Sequence, residues 1–174
     1  TTVAGNVPLA LTQENARKIC DLAGYTDMPV FAGADRPLAR SLVTAEHVHG
    51  SSGLDGPVLP LPATPLQDGH AADFLIDTIR SEESGSVTIA PIGPLTNIAM
   101  ALRQAPDIAE RIGQIVMMGG GYFEGGNITP VAEFNIYVDP QAAAEVFAAG
   151  IPITMIPIVV THKARTTAVR TAAI

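Results

Sequence analysis

Cysteine is almost missing from this chain: Cys20 is the only one among 174 residues. A single thiol excludes an internal disulfide and a cysteine-based zinc site, and it suits a reducing compartment. Positive charge is scarce as well. Ten Lys and Arg stand against 17 Asp and Glu, a formal net charge of −7. The one close basic group, Arg165 to Arg170, is sparse. Phosphate contacts need clustered Lys and Arg, so nucleic acid is excluded as a partner. Long apolar runs are absent too. The best candidate, Ile151 to Val160, falls well short of the about 18 residues a membrane span needs, so no membrane partner is expected. No basic stretch leading into an apolar one opens the chain. These features point to a cytoplasmic location.

Several chemical motifs are also missing. No Gly-Lys-Ser/Thr follows the glycines of residues 119–121, so there is no Walker A loop, and no G-x-G-x-x-G leads into a helix. No G-x-S-x-G nucleophile elbow occurs. No cluster of aspartates could by itself hold a divalent ion and activate water.

What is present is an apolar chain. Apolar residues make up 47% and charged residues 16%, which excludes an intrinsically disordered polymer. Sixteen Gly and 14 Pro punctuate the apolar segments without forming a linker, so the chain reads as a single α/β domain over 1–174. Helices are predicted over Thr12–Ala23 with Thr12 as N-cap, from Gly69 or His70 to Ser81, and over Leu95–Gln104. Another follows Asp139 as N-cap, with Pro140 at the first position and Gly150 past the end. Apolar strands are predicted at Pro29–Ala32, Ser86–Pro91, Gln114–Met118 and Ile151–Val160, and a helix is expected from Thr161. The alternation implies an α/β fold with a mostly parallel central sheet and helices on both faces, doubly wound. In such sheets ligands sit beyond the carboxyl ends of the strands.

The loops after those strands are therefore where chemistry is sought. Met117-Met118-Gly119-Gly120-Gly121 runs on to Asn127, Glu133, Phe134 and Asn135. The amides and the carboxylate suit sugar hydroxyls, and they equally suit an ordinary polar turn. Ile92-Gly93-Pro94-Leu95-Thr96-Asn97 reads as a βα turn capped by Thr96 or Asn97, or as a turn whose freed carbonyl meets a hard cation. His47 and His49, two apart, would share one side of a strand, where they could chelate a metal or contact a ligand ring; solvated loop histidines remain open. Met117 and Met118 read first as core. Cys20 reads as a small core residue, and His70 as a capping or buried one.

Taken together the loops resemble the inosine-uridine preferring nucleoside hydrolases. The resemblance is carried by Thr1-Thr2-Val3-Ala4-Gly5-Asn6, Val48-His49-Gly50 with Gly53-Leu54, and Gly93-Pro94-Leu95-Thr96-Asn97. It continues through Met117-Met118-Gly119-Gly120, the run Gly126-Asn127 to Glu133-Phe134-Asn135, Asp139-Pro140 and Thr161-His162.

That resemblance implies cleavage of the N-glycosidic bond of ribonucleosides to ribose and free base, with a Ca²⁺-bound water as nucleophile. It implies ribose contacts from Asn6, Asn127, Glu133 and Asn135, and nucleoside lining from His49, Met118 and Phe134. It implies Ca²⁺ ligation by the backbone carbonyl of Ile92. The family's aspartate cluster, which carries the catalytic base, has no counterpart in these residues. The chain is thus expected to be the middle portion of a larger domain, with no catalytic residue of its own. The alternative is a catalytically inactive fragment that binds ribose or a nucleoside. The resemblance also implies a homodimer or homotetramer.

Overall fold

Residues 1–167 are described by the computed structural model of this chain. Two parallel ladders organise it. β1 (Val30–Phe31) pairs with β2 (Leu66–Gln67), and Thr2 forms an isolated parallel bridge to Ala32. β3 (Val87–Ile89), β4 (Ile112–Met118) and β5 (Ile153–Ile156) form a second sheet in the order β3-β4-β5. The parallel α/β class expected from apolar strands between helices is what the chain adopts.

The core lies on one face of the larger sheet. Ile115 and Met117 of β4 are fully buried beneath α3 (Ala71–Ser81), α4 (Thr96–Gln104) and α6 (Pro140–Ala148). Burying each such side chain contributes about 1.5–3 kcal/mol. Alternation along the strand sends Thr88, Gln114 and Thr154 to the other face, where they are exposed. Among the described residues no helix is long and apolar enough to cross a membrane.

Local signals explain most helix ends. His70 caps α3, its Nδ1 accepting from the Ala72 N–H at 3.1 Å. Asp139 caps α6, its Oδ1 accepting from the Ala142 N–H at 3.0 Å, and Gly150 beyond the end adopts φ +76°. α1 (Leu9–Leu22) departs from expectation. It starts after Pro8, and Thr12 lies inside it with its hydroxyl donated to the Leu9 carbonyl. No residue of α1 is fully buried, so Cys20 is half-buried on a surface helix rather than core.

Other expectations are corrected. The Ile151–Val160 strand is confined to β5, because Pro157 ends it and α7 (Ile158–Thr161) follows; helix thus stops at Thr161 rather than starting there. Thr96 and Asn97 do not cap α4. They lie in its first turn and cross-link the fold. The Thr96 hydroxyl donates to Asp139 Oδ2 at 2.8 Å, which also accepts the Leu38 N–H at 2.9 Å. Asn97 donates to the Thr2 carbonyl and accepts from the Ala34 N–H, both at 2.8 Å, joining the small sheet to α4. This approach is so close that a Cβ on Gly33 would collide with the Asn97 amide. Stretches for which the sequence predicts no helix or strand also hold α2 (Glu46–His49), α5 (Phe134–Val138), β2 and a 3-10 helix at Pro106–Arg111.

Candidate active site

The parallel strands send three chain segments to one edge, where backbone bonds fasten them together. The Met118 N–H donates to the Pro91 carbonyl at 2.9 Å, Gly119 to Ile156 at 3.2 Å, and Ile158 to Gly120 at 3.0 Å. Beside this junction lies a cavity of about 230 Å³.

Glu133 organises one wall. It is 2% exposed and caps α5, its Oε2 accepting from Asn135 N at 3.0 Å and Ile136 N at 3.3 Å. The same oxygen accepts from Gly120 N at 3.0 Å, which ties the glycine-rich turn to the helix. Every hydrogen bond described for this side chain falls on Oε2, which leaves Oε1 to the cavity it lines. Asn127 Oδ1 accepts from Phe134 N at 2.8 Å, so its amide nitrogen is turned outward. Asn135 is oriented the opposite way. Its Nδ2 donates to the Met118 carbonyl at 3.2 Å and the Ile92 carbonyl at 3.4 Å, and it lies 3.3 Å from Met118 Sδ. Oδ1 of Asn135 is left as an acceptor. The wall thus offers a donor and two acceptors, each fixed by backbone partners, to a ligand rich in hydroxyls.

Asn6 joins this wall to the next. Its carbonyl accepts the Ala45 N–H at 2.8 Å, at the start of α2, while its side chain lines the cavity. Ala45 is buried with Phe134 and Val138. α2 then presents His47, Val48 and His49 to the same space. Gly50 (φ +78°) ends the turn, and Asp55 closes the loop behind it, accepting from Ser51 N, Ser52 N and the Ser52 hydroxyl. The Ser52 hydroxyl, followed by that backbone bond, holds the Asp55 carboxyl below its ordinary range.

The family model for the inosine-uridine preferring nucleoside hydrolases matches residues 1–174. The chain belongs to this family. It is 52% identical over 165 residues to the pyrimidine-specific ribonucleoside hydrolase RihA of Photobacterium profundum, covering 95% of this chain and 53% of that protein. It is 45% identical over 168 residues to the inosine-uridine preferring nucleoside hydrolase of Crithidia fasciculata, covering 96% and 53%. Among solved structures it resembles the purine-preferring ribonucleoside hydrolase from Gardnerella vaginalis, with TM-score 0.85 and 35% identity over 90% of this chain and 50% of that one. The chain spans about half the length of the curated relatives it matches.

Within this nucleoside hydrolase family member, all eight residues singled out from the sequence meet at the one cavity. These are Asn6, His49, Ile92, Met118, Asn127, Glu133, Phe134 and Asn135. The two methionines divide as their parity on β4 dictates: Met117 is core and Met118 lines the cavity. Sequence reasoning missed Ala45, Val48 and Ile128, and it misread the setting of His47. The two histidines lie on a helical turn, not on one side of a strand. His162 does not join the cavity; its Nδ1 lies 2.8 Å from Glu124 Oε2.

The cation donor set is thin. Among the described residues Glu133 is the only carboxyl group lining the cavity, and it already accepts three N–H groups. The Ile92 carbonyl accepts from Asn135. Among the described residues no group of three or more His, Cys, Asp or Glu could hold a metal. Calcium takes about 6–8 oxygen ligands, several of them carboxylate, so these residues alone do not fit it.

Proposed function

We propose that this chain supplies the ribose-binding wall of a ribonucleoside hydrolase, which cleaves the N-glycosidic bond with water to give ribose and free base. One observation carries the reading. Glu133, Asn127 and Asn135 are each held by backbone hydrogen bonds and line one cavity, with Glu133 Oε1, the Asn127 amide N–H₂ and Asn135 Oδ1 outside those bonds. Groups fixed in this way recognise hydroxyls strongly, because a missing hydroxyl leaves a buried polar group unpaired. They also hold the sugar still as its ring flattens toward an oxocarbenium-like transition state.

The side chains described here bind and orient. Among the described residues the carboxyl group that lines the cavity, Glu133, serves as a helix cap through its Oε2. The calcium ion expected from the resemblance lacks a donor set among these residues. The same observation favours a second reading, a chain that holds a nucleoside or ribose without hydrolysing it.

Asn135→Ala and Glu133→Ala in the full-length protein test the roles. Each removes one or two hydrogen bonds to the sugar, so kcat/KM for a ribonucleoside falls about 10- to 100-fold. Unchanged kinetics in both variants would refute the assignment. Nucleoside binding without any product release would favour the second reading. We further propose that the protein works in the cytoplasm, which a free Cys20 suits, and as a homodimer or homotetramer, which sedimentation at several concentrations tests.

A further inference from the structure

α5 brings Phe134 and Asn135 to the cavity, yet it has only five residues. Isolated helices shorter than about 12–15 residues are marginal in water, so groups outside α5 must hold it. Its N-terminal end is held by Glu133. At the other end the last carbonyls of a helix find no partner within it. Pro140, which stands where the next donor would be, has no N–H. Arg40 meets this need from 97 residues away in the chain. Its Nη1 donates to the Tyr137 carbonyl at 2.8 Å, and its guanidinium lies 4.5 Å from the centre of the Tyr137 ring. That distance is within reach of a cation–π contact, and a cation suits the C-terminal end of a helix. None of the ion pairs among the described residues includes Arg40; both of these contacts fall on Tyr137.

We propose that Arg40 is a positioning residue for the ribonucleoside site: it holds the C-terminal end of α5 and so fixes Phe134 and Asn135 at the cavity. This rests on the ribonucleoside reading above. Arg40 is half-buried and lies outside the cavity lining, so it acts through α5 and not on a ligand. The segment that carries it is anchored along its length. The Leu38 N–H donates to Asp139 Oδ2 at 2.9 Å, just past the end of α5. Leu42 and Val43 pack with Phe134 and Val138, and the Ala45 N–H donates to the Asn6 carbonyl at 2.8 Å. Residues 38–45 thus connect the far end of α5 to Asn6 at the cavity. Lysine would replace Arg40 only in part. It keeps the charge and can donate, but it lacks the flat group that stacks on Tyr137.

The test uses the full-length protein, with hydrogen exchange read by mass spectrometry beside uridine turnover and binding. In Arg40→Ala, exchange of the peptide spanning Glu133–Val138 quickens at least about threefold, while exchange in β4 matches the wild type. kcat/KM for uridine falls about tenfold, and Arg40→Lys recovers part of the loss. Because Arg40 acts through Phe134 and Asn135, the same change in an Asn135→Ala background costs about threefold at most. An equal tenfold loss in both backgrounds would overturn the proposal and mark Arg40 as a general stabiliser. Faster exchange in β4 and 133–138 alike, or unchanged exchange in both, would overturn it as well. A wild type that binds uridine without cleaving it would defeat the hydrolase reading alone, and the same comparison is then made in Kd. A wild type that neither binds nor cleaves uridine would defeat the ribonucleoside reading. Faster exchange confined to 133–138 would then still support Arg40 as the residue that holds α5, and unchanged exchange would defeat that too.

Discussion

The side-chain amide of Asn135 donates to the carbonyl of Ile92 across 3.4 Å, so the backbone oxygen expected to face a cation already serves an N–H. With Glu133 Oε2 occupied by three N–H donors, the described residues of the cavity leave few oxygens for a cation. Calcium titrated calorimetrically into the 174-residue chain should bind no more tightly than the millimolar range typical of sparse oxygen sites. A micromolar constant would contradict the donor set described.

Asp139 is the structural node beneath the site. It is fully buried, caps α6, and accepts from Leu38 and Thr96. Asp139→Ala removes a cap and leaves donors unpaired, a loss of about 3–5 kcal/mol in urea unfolding. Asp139→Asn keeps one acceptor oxygen and should lose clearly less. Equal losses would show that the side chain only fills space.

Loop closure by Asp55 should matter more to binding than to folding. The carboxyl is exposed and receives three short-range bonds from Ser51 and Ser52. Asp55→Ala loosens the far end of α2, so KM for a nucleoside rises several-fold while thermal unfolding shifts by only a few degrees. An unchanged KM would separate the loop from the site.

Acid stability follows from exposed ion pairs. A hydrogen bond from Arg80 is the main cause holding the Asp107 carboxyl below its ordinary value of 3.8, and Arg103 does the same for Glu145 below 4.5. A carboxyl depressed in the folded state stabilises it fully above the unfolded value, and that contribution is lost as pH falls through the folded value. Tm should therefore be flat with respect to these groups near neutrality and decline below about pH 4. Asp107→Asn should show a shallower decline between pH 4.5 and 3 than the wild type, and an identical pH profile would remove the pair from the account.

Much of this was legible in the sequence, for identifiable reasons. Asp139, Pro140 and Gly150 bracket α6 because capping chemistry is local. The apolar run 114–118 declares a strand because its core-facing side is covered by helices, and the structure extends it back to Ile112. The residues that line the cavity were picked out through the family's loops. What stayed hidden depends on distant partners. α2 has only four residues and too little periodicity to announce itself; it is stabilised by the Asn6 carbonyl and the burial of Ala45. The N-terminal turn of α4 looked like capping because Thr96 and Asn97 are good caps. Their true partners, Asp139 and Thr2, lie 43 and 95 residues away. α1 begins early because Pro8 presets the entry to its first turn.

The most direct test of the central claim is chromatographic detection of products from uridine and inosine incubated with the full-length protein. The account predicts free base and ribose released in equal amounts, with Asn135→Ala slower by at least about tenfold. A folded protein that releases neither product from either nucleoside would contradict it.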